Sequence, residues 1–140
     1  MRYILFIIWF LSIIQLSFGQ EPSDSTAAFE TFEYKSEDSI YIMQKYFLVF
    51  LKRGTAPSED LDVQMIQKGH LDYLGSLFKK GIICMNGPFG DDGNIRGATV
   101  YRVPNQEEAE RLAGEDPAVK AGLLEIEVHP WWLARGTGVY

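Results

Sequence analysis

Proton-transfer chemistry near neutral pH needs a group that titrates there, and this chain offers two, His70 and His129. His70 lies in the run Gly69-His70-Leu71-Asp72-Tyr73-Leu74, four positions after Ile66 and four before Leu74. On a helix that spacing puts it on the apolar stripe. A histidine there must satisfy two ring nitrogens or carry the cost of burial. Two readings are open: a hydrogen-bonded core histidine, or a general acid/base whose tautomer is fixed by a carboxylate. The candidate carboxylates are Asp72, Asp92, Glu115 and Asp116. Asp72 is only two helical positions away and faces elsewhere. Asp116 ends a helix and precedes Pro117, so its direction is well defined. It is equally placed to cap a turn beginning at Pro117, and the two roles are compatible.

The other reactive groups point to less. His129 ends a strand beside Pro130 and Trp131, where alternation assigns it to the polar face or the sheet edge. Cys84 is the single cysteine, so no internal disulfide is available. It sits in the apolar run Ile82-Ile83-Cys84-Met85 and reads as a buried, inert thiol. Asp91-Asp92-Gly93-Asn94 lacks the alternating oxygen ligands and later glutamate of a calcium loop and reads as a hairpin turn. Gly87-Pro88-Phe89-Gly90 is followed by no Lys-Ser/Thr, so it is no phosphate loop. No paired-cysteine or HExxH pattern occurs, and the sequence leads us to expect neither a metal nor an organic cofactor.

The elements that must position His70 and Asp116 follow from periodicity. Residues 46–51 (YFLVFL) form a central strand, apolar on both faces, and residues 39–44 extend it or pack on it. A helix is expected over residues 58–80, capped by Thr55 or Ser58, with Leu61, Met65, Ile66, Leu74, Leu77 and Phe78 on its apolar stripe. Lys79, Lys80 and Gly81 end it. Gly69 within it signals close approach of another backbone or a ligand, or else tight packing against the sheet. Residues 82–86 and 96–103 form a hairpin across the 87–94 turn. Asn105 and Glu108 open a second helix that runs to about residue 114. Residues 123–129 form the last strand, with Leu124, Ile126 and Val128 alternating against Glu125, Glu127 and His129.

This order, βαββαβ, predicts an α+β, ferredoxin-like domain: two helices on one face of a four-stranded antiparallel sheet. The other face would leave a large apolar area in water, which a second copy packed face to face would cover. The sequence therefore predicts a homodimer. We expect a signal peptide over residues 1–19, a flexible leader over 20–44, the domain over 45–133 and a tail over 134–140. Arg2 followed by the apolar run to Leu16 and the small residues Ser17 and Gly19 supports export to the periplasm or beyond. That run is shorter than the ~20 residues of a spanning helix, so no membrane association is expected after cleavage. A net charge of −6 disfavours nucleic acid as a partner.

His70-Leu-Asp-Tyr-Leu74, Gly81, Gly87-Pro88, Asp91-Asp92-Gly93, Arg96-Gly97, Glu107-Glu108-Ala109, Asp116-Pro117-Ala-Val-Lys-Ala-Gly122 and Val128-His-Pro130-Trp131 together resemble the YCII-related (YciI-like) family. The resemblance covers residues 46–132. It implies a dimeric α+β barrel and a His–Asp pair in a cleft, carried here onto His70 and Asp116. The family includes a dehydrochlorinase that acts on a chlorinated hydroxyhydroquinone. Two functions are then expected as alternatives. One is a cofactor-independent acid/base enzyme of lyase or isomerase type, acting on a small, possibly aromatic, molecule. The other is a non-catalytic ligand-binding or accessory module of the cell envelope. The export signal and leader depart from the usual short cytoplasmic member.

Overall fold

A computed structural model describes residues 29–57, 59, 61–136 and 138. The expected signal peptide, and the leader before residue 29, lie outside these residues. The elements are β1 (Thr31–Ser36), β2 (Ser39–Arg53), α1 (Val63–Lys79), β3 (Ile83–Pro88), β4 (Ile95–Tyr101), α2 (Gln106–Gly114), α3 (Pro117–Lys120) and β5 (Leu124–Ala134). The domain is α+β and ferredoxin-like. Its antiparallel sheet runs β5-β2-β4-β3, with β2 paired to both β4 and β5.

Alternation along β2 divides the sheet into two faces. Phe47, Val49 and Leu51 point at the helices and are buried against Leu74 and Leu77 of α1 and Ala109, Leu112 and Ala113 of α2. Leu124, Ile126 and Val128 of β5 join that core from the same face, as the alternating pattern predicts. The Tyr73 hydroxyl donates to the Leu112 carbonyl at 2.8 Å and ties α1 to α2. The opposite face carries Tyr46, Leu48 and Phe50, with Trp131 on β5 and Met85 on β3, and no helix among the described residues covers it.

Four expectations are corrected. From Thr31 onward the leader is not flexible: β1 pairs with residues 39–44 of a 15-residue β2, forming a two-stranded arm. Its aromatics hold it, since Phe32 meets Trp132 edge-on at 4.8 Å and Lys45 lies over the Trp132 ring. The first helix begins at Val63 rather than residue 58, with the Asp62 side chain accepting from the Met65 amide. The reason lies upstream. The amides of Gly54 and Ala56 donate to the carbonyls of Leu123 and Gly122, which holds the chain extended past the end of β2. Met65 and Phe78, assigned to the apolar stripe, are exposed, because only a narrow stripe around His70, Leu74 and Leu77 meets the sheet. Cys84 is exposed rather than buried. The pairing of β3 with β4 shifts register between Ile83 and Met85, and this turns Cys84 out of the core. Its thiol lies 3.6 Å from the Val100 carbonyl, and partial desolvation raises its pKa, so it remains a poor nucleophile.

The last strand also runs further than expected, through Pro130 and the two tryptophans to Ala134. At its other end, the turn before β5 crosses the end of β2. A Cβ on Gly54 would stand 2.0 Å from the Gly122 carbonyl oxygen, a backbone atom that cannot swing aside. Gly122 itself has φ 71°, held by the turn that leads out of α3. Gly54→Ala is therefore expected to lower stability by about 3 kcal/mol, the upper range of overpacking penalties. Urea denaturation followed by circular dichroism checks this; an unchanged midpoint would mean that the crossing is not close-packed.

Candidate active site

His70 occupies the middle of α1, with 8% of its surface exposed. Its Nδ1 is 2.7 Å from Oδ2 of Asp116, which is only 1% exposed. Asp116 sits at the N-cap of α3, and its other oxygen, Oδ1, accepts from the Ala118 amide at 2.8 Å. A carboxylate only accepts, so Nδ1 carries the proton in this bond, and in the neutral imidazole Nε2 then presents its lone pair. Both oxygens of a fully buried carboxylate are thereby used, which offsets the cost of burying it.

Local sequence explains how two residues 46 positions apart meet. Pro117 supplies the first residue of α3 with its φ already helical, and Asp116 before it is held extended at ψ 128°. The Pro117 ring lies against Gly69, where a Cβ would come within 3.3 Å of Cγ. Gly69 therefore serves packing of α1 against the Pro117 ring of α3, rather than against the sheet or a ligand. That close approach brings the neighbouring His70 up to Asp116.

The other candidate carboxylates are elsewhere. Asp72 pairs with Lys68 at 2.5 Å on the solvent side of α1. Glu115 pairs with Lys120. Asp92 lies in the exposed β3–β4 turn. His129 is on the open sheet face, with Nε2 2.7 Å from Glu127 Oε1 and its ring edge-on to Phe50 at 5.8 Å. Its position agrees with the polar-face assignment and is remote from His70 in the fold. Glu127 accepts from His129 and then Lys52, and both bonds hold its carboxyl below the usual range.

His70 lines a cavity of about 410 Å³ between α1 and the end of the sheet. This lies within the range typical of small-molecule sites. Leu51, Leu74 and Leu124 make it apolar on one side, while Gln67, Asn86 and Thr99 add polar groups. Arg53 and Arg96 also line it. The sequence reading includes Arg96 only as part of a family pattern and does not single out Arg53. The one local signal for Arg53 is its place at the end of an apolar strand, just before Gly54. Among the described residues no group of three or more His, Cys, Asp or Glu side chains forms a candidate metal site.

The family model for the YCII-related domain matches residues 47–132. The chain belongs to the YCII-related domain family. A solved structure similar to it is 5-chloro-2-hydroxyhydroquinone dehydrochlorinase from Burkholderia phenoliruptrix AC1100, in complex with 2,5-dihydroxybenzoquinone. The two are 26% identical, with a TM-score of 0.46, over 61% of this chain and 92% of that one. Among curated proteins none matches the sequence.

The shared carboxylate gives a direct test of the tautomer. In Asp116→Asn the amide oxygen can still accept from Ala118, which turns the amide NH₂ toward His70 Nδ1. That nitrogen must then accept, and the imidazole proton moves to Nε2. Nitrogen-15 NMR is expected to show protonated Nδ1 in the wild type and protonated Nε2 in the variant, with a stability loss of only about 1–2 kcal/mol. The same tautomer in both proteins would show that Asp116 does not set it.

Proposed function

We propose that this protein is an acid/base enzyme acting on a small molecule, with Nε2 of His70 as the proton-transferring atom and Asp116 as its positioning residue. The observation that carries this reading is the buried 2.7 Å bond between Nδ1 and Asp116 in a histidine that also lines a cavity. A histidine serving the core alone has no need to border 410 Å³ of open space. Here one ring nitrogen is anchored and oriented, and the other has no hydrogen-bond partner among the described residues. This is the arrangement general acid/base catalysis requires: a fixed tautomer, a fixed ring plane and a lone pair available to the ligand.

The chemistry that suits the site is of lyase or isomerase type. Nε2 removes a proton from an acidic carbon or hydroxyl of the bound molecule. The imidazolium so formed is stabilised by the Asp116 carboxylate behind it. The proton is then returned to another atom of the substrate, or the electron pair expels a leaving group as an anion and the imidazolium gives its proton to that group or to solvent. Such steps need neither a protein nucleophile nor a redox centre. The apolar wall of the cavity suits a ring or short hydrocarbon.

We further propose that the protein is a homodimer with its open sheet faces packed together. Supporting this are the half-buried Leu48 and Phe50 on that face, the exposed Trp131 and Met85 beside them, and Ile40 and Ile42 of the arm on the same side of β2. A face of this composition is costly to leave in water. Sedimentation velocity at about 10 μM is expected to give a dimer, within the concentration range where a standard-sized interface is occupied. A monomer at that concentration would dispose of the proposal.

For the catalytic reading, halogenated and hydroxylated phenols form a practical screening panel, followed by absorbance and halide release. His70→Ala is expected to lower turnover of any substrate found by about 10²–10⁴-fold, the usual contribution of a general acid/base. Circular dichroism should show the fold retained. If the variant kept activity within tenfold of the wild type, His70 would be a structural residue.

A further inference from the structure

The cavity has a charge opposite to that of the chain. The protein carries 19 acidic side chains against 13 basic ones. Yet the residues lining the cavity include two arginines and, among the described residues, no aspartate or glutamate. Asp116 is behind His70 and already shared between two donors.

The two arginines differ in what they hold. Arg96 stands where the pairing of β2 with β4 shifts register, opposite the step from Leu51 to Lys52. Such irregularities re-aim a side chain. Its Nη1 donates to the carbonyls of Asp91 and Gly93, both at 3.3 Å, and these neutral acceptors leave its charge uncompensated. Arg53 ends β2, and among the described residues its guanidinium has no hydrogen-bond or ion-pair partner. By contrast, Lys45, Lys52, Lys68, Arg111 and Lys120 are each paired with a carboxylate. Thr99 also lines the cavity, and its buried hydroxyl has no hydrogen-bond partner among the described residues. A polar atom left so is unusual in a native core and is expected to have a partner from outside the chain.

We propose that the ligand of this cavity is a small organic carboxylate, anchored by Arg53 and favoured by the charge of Arg96. Its hydrocarbon or aromatic part lies against Leu51 and Leu74 toward His70, and a hydroxyl or carbonyl of the ligand meets Thr99. The planar carboxylate matches one unengaged guanidinium fork edge to edge. The partly enclosed, apolar setting strengthens that pair relative to one on the open surface. This rests on the cavity being the functional site and adds to it the class of molecule admitted.

Titration calorimetry at low ionic strength, with benzoate, benzamide and phenyl phosphate as probes, separates the outcomes. The purified protein is expected to bind benzoate at least about tenfold more tightly than the neutral, isosteric benzamide. Arg53→Met is expected to bring the two within about threefold, while Arg53→Lys keeps part of the preference because it keeps the charge. Circular dichroism confirms that each variant is folded. His70→Ala removes no part of the anchor and should retain the benzoate preference, so loss of turnover in that variant tests proton transfer separately. Equal binding of benzoate and benzamide by the wild type, an undiminished preference in Arg53→Met, or tighter binding of phenyl phosphate than of benzoate would each overturn the proposal.

Discussion

The hydrogen bond between His70 and Asp116 is the constraint on which the site depends, because one buried carboxylate does two jobs. Oδ1 closes the N-terminus of α3 and Oδ2 holds an imidazole on α1. Neither job is free to change without the other. If α3 moved, the carboxylate would leave the ring. If the ring rotated, a buried oxygen would lose its donor, at a cost of several kcal/mol for a charged group. The close approach of Pro117 to Gly69 is the packing counterpart of this bond. Together they make the His70 ring a rigid part of the fold rather than a side chain on a helix.

The sheet supports this arrangement asymmetrically. Its helix-facing side is a packed core of Phe47, Val49, Leu51, Leu74, Leu77 and Leu112. At the end of the sheet where β2 gives way to an extended segment, α1 has not yet begun, and that late start leaves room for the cavity. Two glycines let the chain cross itself there: Gly54 gives the space and Gly122 the positive φ. The cavity is therefore lined both by His70 and by arginines from β2 and β4.

The arm formed by β1 and the first part of β2 lies before the family-matched segment of residues 47–132. It is built from an ordinary antiparallel register across a tight turn at residues 37–38, with Tyr34 facing Tyr41 and Lys35 facing Ile40. Polar and charged residues interleave with these aromatics, so the composition alone reads as a leader. Its strand character depends on pairing and on the Phe32–Trp132 contact, and Trp132 is 100 positions away in the chain.

The sequence by itself determined the order of the elements from β2 onward, though not the β1 arm before them, together with the alternation of β5, the capping of α2 by Asn105 and the polar-face position of His129. These are consequences of periodicity and of nearest neighbours in the chain, which local sequence encodes. It also carried the pairing of His70 with Asp116, though only through a family pattern; the residues alone set Asp72 aside and left three carboxylates and a plain core histidine open. What tertiary structure decided is of another kind. The start of α1 depends on hydrogen bonds donated by the Gly54 and Ala56 amides to a turn more than 60 positions later. The outward turn of Cys84 depends on a register shift against β4. The gathering of Arg53, Arg96 and Thr99 around His70 depends on how β2, β4 and α1 are packed. Each rests on contacts between residues far apart in sequence, and no local pattern of side chains specifies which distant backbone or side chain will be the partner.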